Sequence, residues 1–177
     1  GLEPLGSFAP KDSLLSGPAG GIVGAAAVAR RAGFEKLLTL DMGGTSTDVS
    51  RYDGTFHFQY ETKIAEFETN ITSLNIETVA AGGGSICYFE DGLLKVGPES
   101  AGAYPGPASY GQGGPFCLTD VNILLGKMHT SNFHFPLNLS AAESALQEII
   151  AQSGLDRNTV LGAFEHIANQ IMANAIK

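Results

Sequence analysis

The sequence predicts an α/β domain in which a mixed sheet with hairpins is flanked by helices, and three observations carry that reading. An apolar run at Leu37 to Leu40 ends in Asp41 and meets Gly43-Gly44, the pattern of a strand entering a tight reversal. Asp53-Gly54 and Asp91-Gly92 each separate two runs of strand-forming residues, the two-residue signature of a hairpin. Segments near 16–31, 140–154 and from Arg157 onward carry helix caps and helical spacing of small or apolar residues.

The first helix is expected from a Ser16 cap, with Pro18 in its first turn, through Ala19 to Arg31, and Gly33 stops it. Gly20, Gly21, Gly24 and Ala25 lie near one face, so a backbone or a ligand has room to approach. Strands are expected at Lys36 to Asp41, Thr47 to Tyr52 and Thr55 to Glu61. In the third, Phe56, Phe58 and Tyr60 alternate with His57, Gln59 and Glu61, which predicts one buried face and a solvated His57. Residues 62–74 carry no single pattern. Asn75 to Ala80 reads as an apolar strand running into Gly82-Gly83-Gly84-Ser85, and a hairpin follows at Ile86 to Glu90 and Leu93 to Val96. Gly97 to Pro115 is too rich in Pro and Gly for a helix or a central strand, and a loop of that length in a compact domain is often functional. A short helix is expected from Thr119 or Asp120 to Met128. Ser140 with Glu143 matches a capping box opening a helix that ends near Gly154. The last helix carries a wide apolar stripe of Val160, Leu161, Phe164, Ile167, Ala168, Ile171 and Met172.

The totals narrow the function. The 177 residues suffice for one core, and a net charge of −8 with only ten Lys and Arg provides no basic footprint for nucleic acid or an anionic membrane. No apolar run reaches the roughly 18 residues of a membrane-spanning helix. Cys87 and Cys117 make neither a disulfide framework nor a zinc pattern, so a reduced, cytoplasmic protein is the expectation. The 23 glycines cluster at a few places instead of repeating, which points to close backbone approaches.

The stretch Leu37 to Val49 holds the chemistry. Gly43 and Gly44 let the backbone turn and bring N–H groups toward an anion, while Thr45, Ser46 and Thr47 add hydroxyl donors. A carboxylate repels phosphate, so Asp41 suits Mg²⁺ or the orientation of a nucleophile. A plain hairpin with capping hydroxyls explains the same residues. The Gly-Pro-Ala-Gly-Gly turn at 17–21 offers a helix N-terminus, through Gly20 and Gly21, to the same phosphates.

Four blocks in order, 16–21, 41–50, 78–85 and 97–108, together resemble the hydantoinase/oxoprolinase family (hydantoinase A-like), in particular its ATP-dependent 5-oxoprolinase type. The resemblance implies an actin-like ATPase (ribonuclease H-like) fold whose two halves close over ATP and Mg²⁺. Residues 1–15 would be a lead-in and 16–177 the second actin-like subdomain, truncated at its carboxyl end. It implies ATP-driven opening of a cyclic amide, 5-oxoproline to glutamate. An ATP-dependent hydantoinase, a related carboxylase subunit and a non-catalytic nucleotide-binding module are the alternatives. By the same resemblance Asp41 would serve Mg²⁺ and the reacting phosphate, and Gly43, Gly44 and Thr45 would hold phosphate oxygens. Glu77, Gly82, Gly83, Gly84, Ser85, Glu99 and Tyr104 are assigned to the substrate side. Partners are then ATP, a small cyclic amide, the remaining domains of the same protein and a partner subunit. The family's first phosphate motif and its adenosine motif have no counterpart, so an internal piece, inactive alone, is expected. Glu77 stands where relatives tend to carry Asn or His, and Ser109 where many carry Cys.

Overall fold

The computed structural model describes residues 16–59, 62–64, 67–69 and 73–177. The expected lead-in at 1–15, and Tyr60 and Glu61 of the expected third strand, lie outside the described residues. The backbone divides into two compact units, one of residues 1–41 and 48–77, the other of 42–47 and 78–177. No described helix is long and apolar enough to cross a membrane.

In the first unit helix α1 spans Ser16–Arg31. Strands β1 (Leu37–Met42), β2 (Thr47–Tyr52), β3 (Phe58–Gln59), β4 (Thr62–Ile64), β5 (Phe67–Thr69), β6 (Ser73–Leu74) and β7 (Glu77–Val79) follow. A three-stranded sheet runs in the order β1-β2-β7, and β3 pairs with β6, and β4 with β5, as short antiparallel ribbons. Side chains reinforce the sheet: the Thr39 hydroxyl donates to the Ser50 carbonyl at 3.3 Å and the Ser50 hydroxyl to the Asn75 carbonyl at 2.9 Å. Ile22, Ala26, Val49, Tyr52 and Ile76 are its buried apolar residues.

Two expectations fail here. The buried face of the third strand does not form, because regular pairing is confined to Phe58–Gln59 and Phe58 is 54% exposed. Phe56 is drawn back onto Tyr52 by a bridge and a ring contact at 5.0 Å, and His57 turns to the Asp53 carboxylate at 2.9 Å. The backbone approach expected at Gly20, Gly21 and Gly24 does not occur among the described residues, since an added methyl group there would meet no described atom within 4 Å, and that space stays open to a ligand. Ile22 and Ala26 carry the buried face of α1 instead.

The second unit contains the hairpin of β8 (Ser85–Glu90) and β9 (Leu93–Ser100). Asp91 at φ 53° and Gly92 at φ 80° both take positive φ, as a tight two-residue hairpin turn requires. β9 runs on through Gly97 and Pro98, four residues beyond the expected end. The register jumps from Cys87–Val96 to Ser85–Ser100, so Pro98 falls in a bulge without a paired residue and its missing N–H costs no ladder bond. Then come helices α2 (Leu118–Leu124), α3 (Leu139–Ser153) and α4 (Arg157–Ile176). α2 is shorter than expected because Gly126, in the left-handed region at φ 72°, closes it. The cap of α3 is Asn138, whose Oδ1 accepts from the Ala141 N–H at 3.1 Å, and Ser140 lies inside the helix. A capping box does occur, one helix earlier, between Cys117 and Asp120.

The stripe on α4 is the core of this unit. Val160, Leu161, Phe164 and Ala168 pack with Phe116, Leu118, Val121, Leu146 and Ile149 and with Cys87 and Val96 of the hairpin. Phe116 and Phe164 meet with ring centres 6.2 Å apart.

Candidate active site

The glycine turn after β1 and the triple glycine before β8 fold onto each other within the second unit. Gly83 N–H donates to the Gly43 carbonyl at 3.0 Å and Gly84 N–H to the Gly44 carbonyl at 2.6 Å. An added Cβ at Gly82 would stand 2.7 Å from Gly44 C and Thr45 N, and one at Gly84 2.9 Å from the Gly44 carbonyl oxygen. Two backbones therefore touch with no side chain between them, and only glycine permits that. The turn closes on itself by a 2.8 Å bond from Gly43 N–H to the Ser46 carbonyl. Among the described residues, the N–H groups of Gly44 and Thr45 have no backbone acceptor, and both residues are exposed. Two adjacent amides without a backbone acceptor, beside an exposed threonine hydroxyl, are the kind of donor set with which backbone turns meet anions.

The same four residues, Gly44, Thr45, Gly83 and Gly84, line a cleft of about 890 Å³. Its other walls come from Gly102, Ala103, Tyr104, Pro107, Tyr110 and Gln112 of the Pro- and Gly-rich loop, with Thr119 of α2 and Phe135-Pro136. Among the described residues no charged side chain lines it.

Asp120 holds that loop in place. Its carboxylate is fully buried and accepts from Ala108 N–H at 3.0 Å, Ser109 N–H at 2.9 Å and Cys117 N–H at 2.8 Å. Three backbone donors offset the cost of burying the charge. The loop is further tied by Ala108 N–H to the Pro115 carbonyl at 2.9 Å, and by Asn138 N–H to the Ser109 carbonyl at 2.7 Å. Tyr110 anchors it edge-on to Phe133 and Phe135, at ring-centre distances of 6.5 Å and 5.0 Å. Beside this clamp, burial and then the Asp120 charge push the Cys117 thiol up to about 12. Burial, then Cys117 and Asp120, raise Cys87 as well. Both are inert, neutral thiols and not nucleophiles.

In the first unit, Asp41 and Asp48 line a smaller cavity of about 240 Å³, together with Gly21 and Pro18 of α1 and Thr39 and Leu40 of β1. The structure thus brings Gly21 of the first helix to the cavity of Asp41, whereas Gly20 does not line it. Mg²⁺ takes one or two carboxylates and completes its shell with water and phosphate oxygens. Two carboxylates on one cavity meet that demand, so the donor set present fits the ion. A cage of protein ligands alone does not form, since no three His, Cys, Asp or Glu side chains gather among the described residues.

The other residues singled out by sequence fall in different places. Thr45 is exposed at the turn and Ser46 half-buried, but Thr47 is fully buried and donates to the Ala81 carbonyl at 2.5 Å. Its hydroxyl is committed inside the fold. Gly82 is buried against the turn, and the fully buried Ser85 hydroxyl accepts from Gly82 N–H at 2.9 Å, so both shape the glycine block without lining the cleft. Glu77 and Glu99 are exposed and line neither cavity, whereas Tyr104 lines the larger one. Sequence reading did not assign Gln112, Thr119 or Phe135 to the site. Thr119 and Phe135 lie in segments read only as helix and irregular connection, and nothing local marks them. Nor did sequence reading assign Asp48, which joins Asp41 on the smaller cavity.

A family model described as Hydantoinase/oxoprolinase matches residues 1–177. The chain is 43% identical over 192 residues to 5-oxoprolinase PfmaA of Pestalotiopsis fici, with all of this chain and 15% of that protein aligned. Among solved structures, an ATP-dependent caprolactamase from Pseudomonas jessenii aligns with a TM-score of 0.76 at 32% identity over 86% of this chain and 23% of its own. Acetone carboxylase in a nucleotide-free structure aligns with a TM-score of 0.74 at 25% identity, over 90% of this chain and 23% of its own. The chain therefore spans about a sixth to a quarter of the relatives it matches. On the match along its whole length, the chain belongs to the hydantoinase/oxoprolinase family.

Proposed function

We propose that this chain is the phosphate-binding part of a longer ATP-dependent amidohydrolase that opens a cyclic amide, most simply 5-oxoproline to glutamate, within an actin-like ATPase fold. The observation that carries the reading is the turn at Gly43 to Thr45, whose two free amides are held open by a glycine block that only backbone can contact. The names of the relatives, 5-oxoprolinase and ATP-dependent caprolactamase, support the same chemistry.

An amide resists hydrolysis because its nitrogen is a poor leaving group and its carbonyl is weakly electrophilic. Transfer of the terminal phosphoryl group of ATP to the ring oxygen removes that resistance. One water then adds at the ring carbon and the C–N bond breaks with a proton going to nitrogen, which leaves an acyl phosphate; a second water cleaves that acyl phosphate to carboxylate and inorganic phosphate. Gly44 and Thr45 donate N–H groups, and Thr45 its hydroxyl, to phosphate oxygens as charge develops there. Asp41 and Asp48 would hold Mg²⁺, which when bound neutralises phosphate charge. Gly21 and the N-terminal turn of α1 add a favourable dipole on the cavity of Asp41.

In the full-length protein, Asp41→Asn is expected to abolish ATP hydrolysis coupled to ring opening. Near-normal turnover of that variant would remove Asp41 from the role. Measuring ATP hydrolysis with and without 5-oxoproline tests the reading itself, because a nucleotide-binding module that only changes shape would not depend on the small substrate. The likeness to acetone carboxylase keeps a carboxylase subunit as the second reading, in which a ketone and bicarbonate replace the lactam as stimulators.

A further inference from the structure

We propose that the cleft beside the turn takes the uncharged ring of the cyclic amide, with the Gln112 carboxamide reading the ring's amide edge. Any carboxylate on the substrate is left to residues elsewhere in the longer protein. The inference rests on the function proposed above.

The cleft borders the turn directly, since Gly44 and Thr45 line it, so a ring held there stands next to the phosphates. Its volume of about 890 Å³ lies within the range of small-molecule sites. Tyr104, Tyr110 and Phe135 provide aromatic surface for the faces of a ring. A ring forces its amide cis, so N–H and C=O point to the same edge. A primary carboxamide offers one acceptor and two donors, and can meet both groups of that edge at once. Among the described residues, Gln112 is the one such side chain lining the cleft, and the hydroxyls of Thr45 and Thr119 are the only other side-chain donors there besides the tyrosines.

A carboxylate fares differently. Among the described residues no cation lines the cleft to pair with it, and burying it against aromatic and glycine surface would cost its hydration without return. The net charge of −8 adds to the penalty. The geometry therefore makes this cleft a reader of the ring and indifferent to what the ring carries.

The test uses the full-length protein with Gln112→Leu and Tyr104→Ala. Both positions are exposed, so neither change threatens folding. KM is measured for 5-oxoproline in the ATP hydrolysis assay, and for 2-pyrrolidinone, the same ring without the carboxylate, either KM as substrate or Ki as competitor. Each variant is expected to weaken both ligands about tenfold and by the same factor, with KM for ATP unchanged. Unchanged values for both ligands, a loss confined to 5-oxoproline, or wild-type protein that does not bind 2-pyrrolidinone would each overturn the inference. Wild-type protein whose ATP hydrolysis ignores every cyclic amide would overturn the proposed function, and the inference with it.

Discussion

A methyl group placed on Gly82 would lie 2.7 Å from the amide nitrogen of Thr45, closer than a real Cβ sits to an atom of a distant residue. All three nearest atoms, Gly44 C, Thr45 N and the Gly43 oxygen, are backbone, so nothing flexible can give way. Gly82→Ala is expected to displace the turn, lower stability by about 1–3 kcal/mol and weaken ATP binding together. Urea unfolding and calorimetric titration of ATP on the full-length protein measure the two losses. Wild-type ATP affinity in this variant would separate the turn from the phosphates.

Asp120 permits a second, purely structural prediction. Replacing it by Asn turns one acceptor oxygen into a donor facing backbone N–H groups that have no water to turn to. The expected loss is about 2–4 kcal/mol in urea unfolding, with the loop from Ala108 to Cys117 losing amide protection first in hydrogen exchange. Unchanged protection across that loop would contradict the clamp.

The two cysteines set the response to alkali. Cys117 titrates near 12 in the folded protein, and Cys87 is raised as well, whereas unfolded thiols ionise in the ordinary range. A raised folded pKa favours the folded state fully below the unfolded value, and that contribution is lost as pH rises through the ordinary thiol range toward 12. Neither thiol is expected to react with iodoacetamide at pH 8 until the chain unfolds, as mass spectrometry would report. Cys117→Ser should make the alkaline limb shallower.

At the acidic end the N-cap of α4 is decisive. The Asp156 carboxylate accepts from the Thr159 hydroxyl at 2.6 Å and from the N–H groups of Thr159 and Asn158 at 3.1 Å and 3.0 Å, which hold it below the usual carboxylate range. A depressed folded pKa stabilises above the unfolded value and is lost as pH falls through the folded one. The first turn of α4 should therefore fray in acid below the ordinary aspartate range. NMR titration of the Asp156 carboxyl carbon checks the direction, and Asp156→Ser should remove the dependence while keeping a cap.

The order and type of most elements were legible because they rest on local periodicity. The stripe from Val160 to Met172 and the Asp91-Gly92 turn are examples. What the sequence hid is non-local. Nothing near residue 120 announces a carboxylate spanning 108 to 117, and nothing near 82–84 says that those glycines face 43–45. One signal was available: residues two apart on a strand share a face, so Thr47 follows Val49 inward and Asp48 points the other way. Weighing hydroxyl chemistry above alternation placed Thr47 with the phosphate donors. The Ser140 cap was misread for a similar reason, since Asn138, two residues earlier, captured the helix end.

The glycine block also acts as a stiff mechanical relay. Each of its inner peptides is grasped from both sides: Gly83 receives the turn through its N–H and passes its carbonyl to Thr119 at 2.8 Å, while Gly84 joins Gly44 to Ala101 at 2.9 Å. There is no side chain in either line to flex and absorb a shift. Any displacement of residues 43–45 is thus passed, one hydrogen bond at a time, to the first turn of α2 and to the start of the loop that carries Tyr104. The turn and the loop that carries Tyr104 are joined by main-chain hydrogen bonds, with the Ser100 hydroxyl, which donates to the Gly44 carbonyl at 3.4 Å and accepts from Gly102 N–H at 3.2 Å, beside them.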